Sequence, residues 1–219
     1  VHLIPKKLSA RGFTVLELLI ATLVFSVILV VITAGVMSFT RQYYKGVVAS
    51  KTQSTARAIM SEVTQSLQFG RTITTGLTNG SVKGFCVDNK LFSYVPGQQV
   101  EVNPVSAKHQ GYHGLVVDGS AGTCSISSAS QLSLPNSTAL TDPANQRELL
   151  SDHMRISDLS VNPVPGIPGA YKVSVRVIYG DDDLLSSTTA WDTARCKGST
   201  GSQFCSVSEL TTTVQKRLQ

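Results

Sequence analysis

RGFTVLELLIATLVFSVILVVITAGVMSF, residues 11 to 39, carries one acidic residue, Glu17, at the front edge of an otherwise uncharged apolar run. From Leu18 to Phe39 there is no Asp, Glu, Lys, Arg or His. A helix of that length rises roughly 33 Å, enough to cross a bilayer core. A buried helix of a soluble domain would need protein on all its sides. A cleaved secretory signal would have a shorter apolar region followed by a small-residue site, whereas this run ends in MSFTRQYYKG. The segment is therefore read as membrane-spanning.

Outward from this run, the 219-residue chain has room for one globular domain. Its formal charge of +5 is concentrated at the front, because Lys6, Lys7 and Arg11 all precede the apolar run. Without them 16 basic residues face 14 acidic ones, and no basic stripe interleaved with aromatics remains to bind nucleic acid. Cys86, Cys124, Cys196 and Cys205 all follow the run. An even number of thiols in a Ser/Thr/Gly-rich region points to disulfides, hence to an oxidising space outside the cytoplasm. The basic head then lies inside, in keeping with the positive-inside tendency.

Past the bilayer, Val48, Thr52, Ala56, Ile59, Met60, Val63 and Leu67 recur at three- and four-residue spacings, a helical stripe. With Gly70 as a C-cap, one near-continuous helix is predicted from Phe13 to Phe69, roughly 85 Å, with Gly35 and Gly46 as soft points. After Gly70 the texture turns to β-structure joined by turns. Tyr171 to Tyr179, YKVSVRVIY, alternates an apolar face with one carrying Lys172, Ser174 and Arg176, as in a strand with one buried face. Further strands are expected at Gly84–Val87, Leu91–Val95, Val100–Val102, Gly114–Val117, Thr123–Ile126, Met154–Val161 and Leu210–Val214. Ser127–Asp142 and Cys196–Ser206 read as surface loops. The expected fold is α+β, a long N-terminal helix, transmembrane and then amphipathic, packed on an antiparallel sheet.

An ionisable group in a membrane segment costs about 2.5–3.5 kcal/mol at the centre and less near an edge, so Glu17 calls for a partner. None is evident within its own helix. The motif KKLSARG followed by FTVLELLIATLVF resembles the class III signal and N-terminal helix of type IV pilins and pseudopilins. The match joins a basic leader, Gly12 at the cleavage point, Phe13 as first mature residue and Glu17 as the fifth. The resemblance implies a leader over residues 1–12, a filament-core helix over 13–39, its amphipathic continuation over 40–70 and an extracytoplasmic β-rich domain over 71–219. It implies cleavage between Gly12 and Phe13 by a prepilin peptidase, N-methylation of Phe13, and pairing of Glu17 with the new amine of an adjacent subunit. Its implied partners are other pilin subunits through the helix, membrane lipid before assembly, and the inner-membrane assembly platform. Ala34 stands where major pilins commonly carry a proline, which speaks against a major subunit.

The segments TRQYY, ARAIMSEVTQSLQ, ELLSDHMRISDLSV and SELTTTVQKRLQ are similar to minor pilins of the PilW type and to J-type minor pseudopilins. That likeness implies a priming or tip subunit of a fibre, with roles in adhesion, twitching motility or DNA uptake. The rival readings are a minor pseudopilin of a type II secretion system, a tip module whose loops bind surfaces, DNA or cargo, and an uncleaved single-pass anchor. Small residues Ala21, Ser26, Ala34 and Gly35 are available for lateral helix packing.

Of three possible disulfide connectivities the sequential one, 86–124 and 196–205, is favoured, because Cys86 and Cys124 bracket candidate strands and Cys196–Cys205 closes a short loop. A zinc site of all four lacks any C-x2-C spacing. His109 and His113 are four apart, but a glycine between them makes them loop histidines. Asp181, Asp182 and Asp183 are weak candidates for calcium, since a GDDD run after a strand is usually a solvated turn. Trp191 is read as packed over the sheet, with an exposed contact role as the rival. No nucleophile elbow, phosphate loop, zincin helix or kinase signature is present, so a structural, non-enzymatic chain without a cofactor is expected.

Overall fold

The computed structural model describes residues 12–100, 113–120, 140, 142, 144–198 and 201–217. The chain divides into two compact units, Val1–Tyr43 and Tyr44–Gln219. Described on its own, the first unit is the beginning of helix α1, Val15–Phe69, and its side chains are exposed throughout the described residues. Neither Gly35 nor Gly46 interrupts the helix.

In the second unit the remainder of α1 buries Val48, Thr52, Ala56, Ile59, Val63 and Leu67, one stripe at helical period. Met60, also predicted for that stripe, is half-buried. The helix stops at Phe69, where the Gly70 N–H donates to Ser66 O at 2.8 Å. Gly70 is required by space, because a Cβ there would lie 2.3 Å from Val87 Cγ1.

The helix packs on two antiparallel sheets, where one was expected. The first runs β1 (Ile73–Asn79), β2 (Val82–Val87), β3 (Lys90–Tyr94), β4 (Leu115–Asp118) and β5 (Gln146–Glu148) in sequence order. The second runs β6 (Met154–Pro163), β7 (Ala170–Tyr179) and β8 (Ser206–Gln215). Both supply the apolar layer beneath α1, with Phe85, Phe92, Leu115, Met154, Val173, Val175 and Val177 in one core with Ile59, Val63 and Leu67. Burying such a side chain stabilises the domain by about 1.5–3 kcal/mol.

The Tyr94 hydroxyl bridges the two sheets: it donates to Leu159 O at 2.9 Å and accepts from Leu159 N at 3.3 Å. Leu159 lies just past the bulge in β6, between Ile156 and Asp158. Burial pushes the Tyr94 hydroxyl up to about 12, against the opposing pull of the Leu159 backbone bond.

Three sequence expectations need correction. Val100 is buried but belongs to no strand, while 101–102 and Thr123–Ile126 lie outside the described residues. Strands β1 and β5 are new, the former disguised by Thr, Gly and Asn, the latter only three residues long. The outward face of β7 is not solvated along its length: Arg176 and Ile178 are buried beneath Leu185 and Ala194 of the segment that follows. Arg176 Nη2 donates to Ala194 O at 2.6 Å, and its Nε lies 3.7 Å from Glu209.

Candidate functional site

At the start of α1, Gly12 and Phe13 are exposed, Phe13 at 78%. Residues 1–11, with the basic head, lie outside the described residues. Thr14 and Glu17 close a reciprocal capping box. The Thr14 N–H and Oγ1–H both donate to Glu17 Oε2 at 3.0 Å, and the Glu17 N–H donates to Thr14 Oγ1 at 3.2 Å. Glu17 therefore has a partner in its own helix, contrary to the reading that it had none. The T-x-x-E signal ahead of an apolar run is in the sequence, and it escapes a search for opposite charges. Only one carboxylate oxygen is engaged: among the described residues no donor reaches Oε1.

Downstream, the hydroxyls of Thr22, Ser26, Thr33 and Thr40 each donate to a carbonyl three or four residues back, at 2.7–3.0 Å. Their polar atoms are thus satisfied by the helix itself, the condition for life in hydrocarbon. With a mean hydropathy of 3.0 over its most apolar 18 residues, none of them buried, α1 is the one helix among the described residues long and apolar enough to cross a membrane. Ala21, Ser26, Ala34 and Gly35 are all exposed, and a Cβ at Gly35 would meet open space.

The second cluster lies in the outer unit, around Arg155 on β6. Its guanidinium is 1% exposed and held by Gln99 Oε1 at 2.6 Å, Gly180 O at 2.8 Å, Gly97 O at 3.4 Å and the Asp182 carboxylate. Trp191 covers it, ring centre 5.3 Å from Cζ. Gly97 makes room for that ring, since a Cβ would come within 1.9 Å of it. Trp191 is accordingly packed and half-buried. No protein family, curated protein or solved structure matches the chain.

Two of the three GDDD carboxylates are engaged by protein donors. Asp182 pairs with Arg155, while Asp181 Oδ1 accepts from Gln99 Nε2 at 2.9 Å and lies 3.3 Å from His153 Nδ1. Burial pushes the Asp181 carboxyl up, but Gln99, His153 and the Arg155 charge together hold it below its ordinary value. A guanidinium beside Asp182 opposes a calcium ion there, and among the described residues no three His, Cys, Asp or Glu converge to hold a metal. Asp183 is exposed.

Cys196 and Cys205 form a disulfide, with Cα atoms 5.7 Å apart. Cys86 is also disulfide-bonded, and Cys124 lies outside the described residues. So does His109. His113 lies in the loop just before β4, as read from the sequence, and is buried there with its Nδ1 3.4 Å from Glu148 Oε2. The Arg155 cluster left one trace in the sequence, a lone arginine alternating with Met154 and Ile156. Its acceptors lie more than twenty residues away on either side, too far for spacing to reveal.

Proposed function

We propose that the chain is a minor subunit of a type IV pilus, made as a single-pass inner-membrane protein with its cysteine-bearing domain outside the cytoplasm. The observation that carries this reading is the first half of α1, apolar on every side and exposed on every side, with one carboxylate in its first turn. Such a surface needs an apolar environment, lipid before assembly and neighbouring helices afterwards. Among the described residues no donor reaches Glu17 Oε1, while Oε2 caps its own helix. A carboxylate has room for both tasks, so the amine freed on Phe13 of an adjacent subunit has an acceptor without loss of the cap. The resemblance of KKLSARG and FTVLELLIATLVF to prepilin signals supplies the processing step: cleavage between Gly12 and Phe13, then N-methylation.

One observation also serves the uncleaved anchor. Because the capping box satisfies part of Glu17 within the helix, its carboxylate can remain at headgroup level without a neighbour. N-terminal mass spectrometry of protein recovered from sheared fibres separates the two. A mature chain beginning at methylated Phe13 supports the pilus subunit. A chain found only in membranes with Lys6, Lys7 and Arg11 still attached refutes it.

A further inference from the structure

We infer that the free edge of β8 is a contact between two copies of this chain, in which β8 pairs antiparallel with β8 of a second copy about a two-fold axis at Thr211.

β8 lies at the edge of the second sheet and pairs with β7 alone, residue for residue, from Ser206 to Gln215. The Lys216 N–H donates to Gly169 O, which fixes the phase of the ladder: the even-numbered residues of β8 turn their N–H and C=O toward β7. Val207, Glu209, Thr211, Thr213 and Gln215 turn theirs outward, and among the described residues none of these backbone groups has a hydrogen-bond partner. The open stretch has fixed ends. Before it the Cys205 N–H turns back to Ser202 O, and after it the Arg217 N–H goes to Gln68 O of α1.

The other sheet edges are blunted in ways that β8 is not. β1 carries a bulge between Thr74 and Leu77, and β5 is three residues long. β6 has a bulge, ends in Pro163, and has the backbone of Leu159 occupied by the Tyr94 hydroxyl. β8 runs for 10 residues in unbroken register, without proline or bulge, and its single charge is Glu209. Such an edge is a template for another strand.

A second copy matches this edge group for group. With Thr211 opposite Thr211 of the second copy, Glu209 faces Thr213 and Val207 faces Gln215, so every open N–H meets an open C=O while β7 keeps its own bonds. Charge selects this register. On the outer face Lys172 of β7 stands beside Thr213, and Thr213 would stand beside Glu209 of the second copy. Adjacent strands lie about 4.8 Å apart, so Lys172 and that glutamate are about 10 Å apart at the backbone, within the joint reach of the two side chains. Lys172 is exposed and has no ion pair among the described residues, while Glu209 is exposed with Arg176 Nε at 3.7 Å. The two-fold axis makes the Lys172–Glu209 contact twice. A slip of two residues either way sets Glu209 in line with Ser174 or Ala170 instead.

The test uses the full chain in detergent, with micelles in excess over protein, and sedimentation equilibrium reads its mass. The wild-type chain is expected to dimerise as its concentration rises. Thr213→Pro deletes an N–H that points away from β7, so the domain keeps its fold, checked by circular dichroism, while the dimer dissociation constant rises about tenfold. Lys172→Glu, which alters no backbone group, is expected to raise it about threefold, and adding Glu209→Lys to restore it. The register is read by oxidation: Thr211→Cys is expected to form a disulfide-linked dimer, because the facing Cα atoms are about 5.5 Å apart, whereas Thr213→Cys, offset from its mate by about 14 Å, is not. A chain that stays monomeric at every concentration overturns the inference. So does a dimer indifferent to both Thr213→Pro and Lys172→Glu, which is then held by the apolar helix, and so does equal cross-linking of the two cysteine variants.

Discussion

Replacing Arg155 by Met tests whether the buried guanidinium holds the outer domain together. Four acceptors converge on it, two of them at 2.6 and 2.8 Å, and the Trp191 ring lies over its face. The variant leaves the buried Gly180 O without its donor, at about 1–3 kcal/mol, and the half-buried Gln99 Oε1 likewise at a smaller cost. It also leaves Asp182 without its cation, a smaller loss because that carboxylate is 56% exposed and screened by water. Against these losses stands the relief of desolvating a charge whose Nε has no hydrogen-bond partner. The net expectation is a destabilisation of about 2–4 kcal/mol, set mainly by the acceptors that lose their donor and reduced by the relieved desolvation of the guanidinium. For a domain of this size that is roughly 10 °C in Tm. Urea unfolding followed by emission of Trp191, the single tryptophan, and independently by amide exchange along β7, reads the change at two places. Arg147→Met is the control: its partner Glu62 is 3.1 Å away, but the arginine is solvent-exposed, so the cost is below about 1 kcal/mol. A loss at Arg155 no larger than at Arg147 would refute the reasoning.

Three further outcomes are expected. Tyr94→Phe removes the hydroxyl that serves both Leu159 N and Leu159 O, and should lower stability by about 1–3 kcal/mol in the same urea assay, with faster exchange at the β6 bulge. Asp181 has a folded value below its ordinary 3.8. Its stabilising contribution is therefore complete above about pH 4 and vanishes as pH falls through the depressed value, so thermal unfolding of wild type and Asp181→Asn should converge in strong acid and differ at neutral pH. Glu17→Ala is expected to leave membrane insertion intact and to abolish recovery of the chain in sheared fibres, measured by immunoblot of the two fractions.

The helix was legible nearly to the residue, because both of its halves write a strong pattern: an uncharged run long enough to cross a bilayer, then a period of three and four for the core. Tyr171–Tyr179 was legible for the same reason at period two. Alternation says which side chains share a face, but not what covers the second face. Arg176 therefore read as solvated, although Leu185 and Ala194 close over it. The partition into two sheets was equally invisible, since it depends on where Tyr94 and Leu159 meet across 65 residues of sequence. Local chemistry fared better where it was sought: T-x-x-E states its own cap, and only the search for an opposite charge passed over it.

The capping box makes a sharper experiment possible at Glu17 than alanine allows. A carboxylate at this position has two separable roles, accepting from Thr14 through Oε2 and presenting negative charge through an Oε1 that no donor among the described residues reaches. Alanine removes both. Glutamine keeps the cap, because an amide oxygen at N3 serves the box as a carboxylate does, and removes only the charge. If a neighbour's amine is the partner that matters, Glu17→Gln should fail to enter fibres as completely as Glu17→Ala, although its helix start is intact. If the cap is what assembly needs, Gln should assemble normally and Ala alone should fail, which would sink the charge-pairing mechanism. The cap itself is a modest quantity, about 0.5–2 kcal/mol, so its loss predicts a partial defect. An amine paired in a water-free core has no substitute anionic acceptor, and loss of the pair predicts exclusion, because the amine is then buried without a counter-charge. The size of the Gln defect, read as the ratio of fibre to membrane protein, distinguishes these two causes directly.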